Sequence, residues 1–330
     1  MNKFVSFAFI SIICCTWSVF AEDARALPAR VGSFSLVPNF DFAPGSFDGN
    51  WQYSQYTGDG EEGALKAGNL GAALEYGILN WLTFSAEWVP GWTFWSEVDA
   101  QTGTSDKLNI NGVYDLFMGL SVQLLGPKAP LQTSHVRLLL TPVVKIPLPG
   151  TDFRKQAGKA GEGEETTIAN PDKHVFGFGP RASLDVVFNN WFFINVYGEY
   201  IYYPLEKKAS DTSLAYYESA SSRQGDFDID YRYGLNFELE PVLTFPLSEG
   251  IAVTVGLPLN YKISPDMRYN TETVPGSGSS LLTVKPKISL FVTGLFVPAE
   301  VELSYMAPLM GRNTRALNTV SLLVKLYFKI

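Results

Sequence analysis

Val320-Ser-Leu-Leu-Val-Lys-Leu-Tyr-Phe-Lys-Ile330 closes the chain and decides its fold. Val320, Leu322, Val324, Leu326, Phe328 and Ile330 share one face of an extended segment, and Ser321, Leu323, Lys325, Tyr327 and Lys329 share the other. A period of two is that of a strand. One face is continuously aliphatic and aromatic, the other carries two lysines, and the segment ends on an apolar residue. An outer-membrane barrel strand between lipid and lumen has this pattern. Such a terminal strand is also expected to be what the barrel-assembly machinery engages.

The same alternation recurs upstream. In the strand after His174, Phe176, Phe178, Ala182, Leu184, Val186 and Phe188 oppose Gly177, Gly179, Arg181, Ser183 and Asp185. From Asp228, Ile229, Tyr231, Tyr233, Leu235, Phe237 and Leu239 oppose Asp228, Asp230, Arg232, Asn236, Glu238 and Glu240. Twelve strands are predicted, near residues 30–42, 66–79, 81–92, 110–125, 134–148, 174–188, 191–203, 228–245, 251–264, 281–293, 297–307 and 319–330; ten or fourteen are the neighbouring even counts. Short turns at Asn80, after Leu125, at Asn189-Asn190, after Phe245 and after Thr293 alternate with long loops. That asymmetry places both termini on the periplasmic side. A soluble sandwich also alternates, but these strands are long for one, and the charged face recurs on nearly every strand. Charge cannot be packed dry at low cost. The fold class is therefore all-β: a single closed antiparallel transmembrane barrel.

The first residues carry a secretory signal. Lys3 precedes the apolar run Phe4–Phe20, and Val19 and Ala21 provide small residues before a cut ahead of Glu22. Residues 1–21 are the expected signal and 22–330 the barrel. Cys14 and Cys15 both fall in the signal, so the expected mature chain has no thiol. With 33 acidic and 25 basic residues, a net charge of −8 and no basic cluster, nucleic acid is not an expected partner. The expected partners are outer-membrane lipid and a small solute. No cofactor motif is present; Gly158-Lys159 lacks the spacing of a phosphate loop. His135 and His174 are the only histidines and neither accompanies a serine motif, which argues against an enzyme.

Strand parity points a set of charges into the lumen. The acids are Glu75, Glu87, Asp115, Asp185, Glu199, Asp230, Glu238, Glu240, Glu300 and Glu302. The bases are Arg137, Lys145, Arg181, Arg232, Lys262, Lys285, Lys287, Lys325 and Lys329. Lined this way, the interior is read as a narrow pore in preference to a filled plug, because interior width grows with strand number. Lys287 comes diagonal to Glu302 if Leu295 and Phe296 form the turn of their hairpin. Seven prolines, Pro38, Pro90, Pro142, Pro180, Pro241, Pro258 and Pro286, fall inside predicted strands. Each removes a ladder donor. Such a break is either a lateral opening for a hydrophobic solute or a kink satisfied by water outside the hydrocarbon.

The stretch GNLGAALEYGILNWLTFSAEWVPGW, residues 68–92, with Tyr76-Gly77, Asn80 and Pro90, resembles the meta-pathway phenol-degradation family of outer-membrane proteins, relatives of FadL-type transporters. The resemblance implies a channel for small hydrophobic molecules. Only Glu22 to Ala29 precede the first strand, so the N-terminal hatch of the long FadL-type proteins is not expected here. A general hydrophilic porin and a non-transporting surface barrel are the alternatives.

Overall fold

A computed structural model describes residues 24–55, 65–99, 107–108, 112–148, 175–210 and 226–329. The predicted signal, both cysteines, His174 and the glycine-rich acidic stretch 156–173 lie outside the described residues. Within them every regular element is a strand.

Twelve strand positions form the wall. They are β1 (Val31–Ala43), β2 (Leu65–Leu79), β3 (Leu82–Asp99), β4 (Leu116–Gly126), β5 (Val136–Ile146) and β6 (Gly177–Val187). The second half is β7 (Phe192–Tyr202), β8 (Tyr233–Ser248), β9 (Ile251–Gly256 and Leu259–Ser264), β10 (Ser279–Val284 and Lys287–Val292), β11 (Ala299–Arg312) and β12 (Asn318–Lys329). Each pairs antiparallel with the next, and β12 returns to β1 from Val31 opposite Lys329 to Phe42 opposite Asn318. The sheet is therefore closed.

Side-chain exposure confirms which face meets lipid. Phe34, Leu74, Phe237, Leu290, Leu303 and Leu322 are exposed although large and apolar, while Ser33, Ser85, Asn195, Thr254 and Ser304 are buried. A soluble core has the opposite distribution. The inner face also holds apolar layers, with Phe193 against Val242 near the short turns and Val143, Ile201 and Tyr203 nearer the long loops.

The prolines split two of the predicted strands. β9 breaks at Leu257-Pro258 and β10 at Lys285-Pro286, and the breaks lie side by side. They remain stitched: Leu257 N–H donates to the Pro241 carbonyl at 3.2 Å, Lys285 N–H to Pro258 at 2.9 Å and Tyr305 N–H to Pro286 at 3.1 Å. A proline lacks only its donor, and here its carbonyl still serves the next strand.

The predicted strand 228–245 is corrected in its first part. Arg232 has φ of 61°, which ends the wall strand, so Asp226–Asp230 instead joins Lys207–Ser210, Arg268–Tyr269 and Glu272–Thr273 in a small separate sheet. Ile229, expected to face outward, is buried there against Tyr269. Asp230 and Arg232 consequently leave the predicted lumen wall. Part of the first long loop also has structure, as a hairpin of Gly45–Phe47 and Tyr53–Gln55 laid on Thr314–Arg315. β3 and β11 run further into predicted loops than expected, to Asp99 and Arg312.

Leu303 on β11 faces Leu322 on β12 on the lipid side. Replacing Leu303 with Arg is expected to destabilise the barrel by about 2–4 kcal/mol, the range for a cation at mid-membrane, measured by denaturant unfolding from lipid vesicles.

Candidate functional site

Cross-strand register sets the ion pairs of the inner face. Arg137 stands opposite Asp185, which stands opposite Asn195, and Arg181 stands opposite Glu199. Arg137 Nη1 lies 3.1 Å from Asp185 Oδ2, and Asn195 Nδ2 donates to Asp185 Oδ1 at 2.7 Å. Arg181 donates to Glu199 at 2.6 Å and also to Glu87 of β3 at 2.7 Å, with its guanidinium 4.8 Å from the Phe117 ring. Lys145 pairs with Asp115 at 2.6 Å, both side chains almost fully buried.

Two further pairs skip a strand. Lys287 of β10 reaches Glu240 of β8 at 2.9 Å over Gly256 of β9. A Cβ at Gly256 would stand 2.1 Å from Glu240 Oε1 and 2.7 Å from Lys287 Cε, so only glycine leaves room for the pair. Lys325 of β12 pairs with Glu75 of β2 across β1, where Ser33 Oγ also donates to Glu75 at 2.7 Å. Burial of these charges is sustained by pairing, since each ion alone would carry a large desolvation cost.

The predicted diagonal of Lys287 and Glu302 is correct in register, Ser289 standing opposite Glu302. The ammonium nevertheless goes to Glu240. The hairpin turn is also longer than two residues, the strands stopping at Val292 and Ala299. Glu300 is buried and accepts from Tyr327 Oη at 3.0 Å, and Glu238 accepts from Asn260 at 3.0 Å. Lys262 is exposed on the inner face, and Lys285 sits at the β10 break. Asp230, displaced to the small sheet, lies 4.0 Å from Arg268, while Arg232 stacks toward Tyr233. The structure thus groups most predicted charges into local ion pairs and one Glu–Arg–Glu cluster, each mixing both signs.

The short segment before β1, in which no hatch was expected, enters the barrel. Ala24 N–H donates to Asp185 at 3.1 Å, Ala26 N–H to Gln123 at 3.2 Å, Leu27 N–H to Thr83 at 2.8 Å and Ala29 N–H to Asn80 at 3.0 Å. Ala24 and Leu27 are buried. The chain therefore runs along the inner wall from β6 past β4 to β3 at the short-turn end, a small hatch in place of a folded one. Gln123 and Thr83 were not singled out from sequence; their inward parity was the available signal.

Pro142 and Pro180 stand opposite one another on β5 and β6, and neither has an N–H to give its outer ladder. On the β4 side the register runs on unchanged, from Leu140 opposite Val122 to Val143 opposite Gly119, and Thr141 Oγ1 donates to Ser121 Oγ at 2.9 Å between them. On the β7 side the register likewise continues from Phe178 opposite Tyr202 to Arg181 opposite Glu199, with Gly179 packed against the Tyr200 backbone and Pro180 outside the hydrogen-bonded ladder. Over this arc lies an apolar groove of about 960 Å³, lined by residues that include Met118, Leu120, Leu140, Phe178, Tyr200 and Tyr202. Arg181 lines it from within.

A closed twelve-strand wall, apolar outside and charged inside, is an integral outer-membrane β-barrel. Among solved structures the chain is similar to an outer membrane channel from Pseudomonas putida F1, with a TM-score of 0.61 and 11% identity over 94% of this chain and 100% of that one. Weaker likenesses are a FadL homologue of Pseudomonas aeruginosa (TM-score 0.40, 9% identity, covering 91% of this chain and 90% of that one) and the P. putida toluene transporter TodX (TM-score 0.40, 8% identity, with the same coverage). No protein-family model and no curated protein matches the chain.

Two outcomes are expected. Lys287→Met leaves Glu240 buried without its cation and should destabilise by about 3–5 kcal/mol, whereas Lys287→Met with Glu240→Leu should recover most of that loss in the same unfolding assay. Replacing Thr83 with Val and Gln123 with Leu removes two hydrogen bonds of about 1 kcal/mol each from the N-terminal segment. Single-channel recording should then show higher or more fluctuating conductance from a protein that still forms a heat-resistant barrel.

Proposed function

We propose that the protein is an outer-membrane channel for passive uptake of small solutes, its favoured cargo small hydrophobic or amphipathic molecules. The observation that carries this is the groove at Pro142 and Pro180, where an in-register proline pair withholds a ladder donor on each outer side beneath an apolar surface. Solute enters from the long-loop side. The N-terminal segment obstructs the straight path to the periplasm, and the wall beside Arg181 offers the other exit, toward lipid. A molecule that prefers hydrocarbon gains free energy there in proportion to the apolar area it buries. The polar face of the site holds Arg181 between Glu87 and Glu199 and keeps the inner edge of the groove structured.

The lipid around the wall and the assembly machinery at β12 are the other partners in this reading. Catalysis has no part in it: His135 stands by a short turn, its Nδ1 3.1 Å from Ser134 Oγ.

Pro142→Val with Pro180→Val returns a donor to each of the two outer ladders. In vesicles carrying the refolded barrel, uptake of a hydrophobic probe should fall severalfold while ionic conductance stays unchanged. Unchanged hydrophobic uptake would refute the wall route. Swelling that falls off with sugar size would instead favour a general hydrophilic porin.

A further inference from the structure

A second groove, of about 280 Å³, lies at the long-loop end of β9, β10 and β11. Register shows which side of the wall it is on. Tyr261 stands opposite Phe237 and Leu282, and Leu282 stands opposite Met310. Phe237 and Met310 are exposed on the lipid side. Arg312 is two residues beyond Met310 and opposite Ser280, which in turn faces Ile263. The groove therefore opens outward, with Tyr261 and Ile263 as an apolar floor. Trp51, from the tip of the first-loop hairpin, borders it, as do Ser280, Asp266 and Arg312. Aromatic rings where wall strands give way to long loops mark the level of the membrane interface.

The charges in this groove do not neutralise one another. Asp266 Oδ1 accepts the Gly278 N–H at 2.6 Å, which occupies it locally. Arg312 makes no ion pair among the described residues, and its Nε, shielded from solvent, takes no hydrogen bond. Arg315, three positions on, is exposed and also makes no ion pair among the described residues. In a chain with 33 acidic residues against 25 basic ones, a groove arginine that makes no ion pair among the described residues points to an anion from outside. The guanidinium fork suits phosphate. An apolar floor continuous with the lipid face selects an amphiphile over a free ion.

We propose that this groove binds a phosphorylated glycolipid of the outer leaflet, with Arg312 holding its phosphate. The Ser280 hydroxyl lies beside that phosphate, and Trp51 and Tyr261 flank the sugar and the first acyl carbons. The assignment is independent of what the channel carries.

Native mass spectrometry of the refolded full barrel in detergent tests it, with bis-phosphorylated lipid A, fully dephosphorylated lipid A and inorganic phosphate as probes. The phosphorylated lipid should be retained about tenfold more tightly than the dephosphorylated one, the effect of one charged hydrogen bond, and inorganic phosphate should not be retained. Arg312→Gln should bring the two lipids to the same level, and Arg312→Lys should keep part of the difference. Equal retention of both lipids by the wild type would overturn the proposal, as would an Arg312→Gln protein that still discriminates. Phosphate held as tightly as the lipid would overturn the lipid assignment. Should Arg312→Gln fail to give a heat-resistant barrel, the comparison of the two lipids on the wild type decides.

Discussion

Hydrocarbon offers no hydrogen bonds, so every peptide group in the spanning band must find its partner in the chain. The pairing of β1 with β12 meets that requirement, because it removes the two edges an open sheet would leave. Much else follows from closure. A closed wall of this size separates two environments along each strand, which forces apolar side chains outward and collects charge inside. The collected charge must then be paired, and the register of neighbouring strands decides which residues meet. Arg137 with Asp185 and Arg181 with Glu199 are consequences of strand alignment as much as of charge.

Prolines test the same requirement from the opposite direction. At Pro241, Pro258 and Pro286 the carbonyls accept from the next strand and the wall holds. At Pro142 and Pro180 the two residues face each other, and each withholds a donor on its far side while the register continues. One kind of residue therefore gives a break in the strand on one arc and an unbroken strand with a missing donor on another. The difference lies in what the neighbouring strand presents.

Much of this was legible in the residues alone. The period of two, the turn asymmetry and the even count gave the twelve strands, because lipid imposes a pattern that no local preference can override. Even the register of Lys287 against Glu302 could be counted from the turn. The choice of Glu240 as its partner could not, since it depends on Gly256 leaving space on an intervening strand. The break at Arg232 was hidden because a positive φ carries little signal in a non-glycine residue, and the alternation runs through it unbroken. The N-terminal segment was hidden for another reason. Its bonds are made by backbone N–H groups, to which its side chains give no clue.

Arg181 has a mechanical role beyond neutralising charge. It belongs to β6, yet it grips Glu87 on β3, so a single side chain ties together strands separated by β4 and β5. Pro142, with its missing ladder donor toward β4, lies within the arc that this tie subtends. A tether across the chord of an arc fixes how far the arc can bow. The distance between β3 and β6 across that chord is thus held by the reach of one arginine side chain.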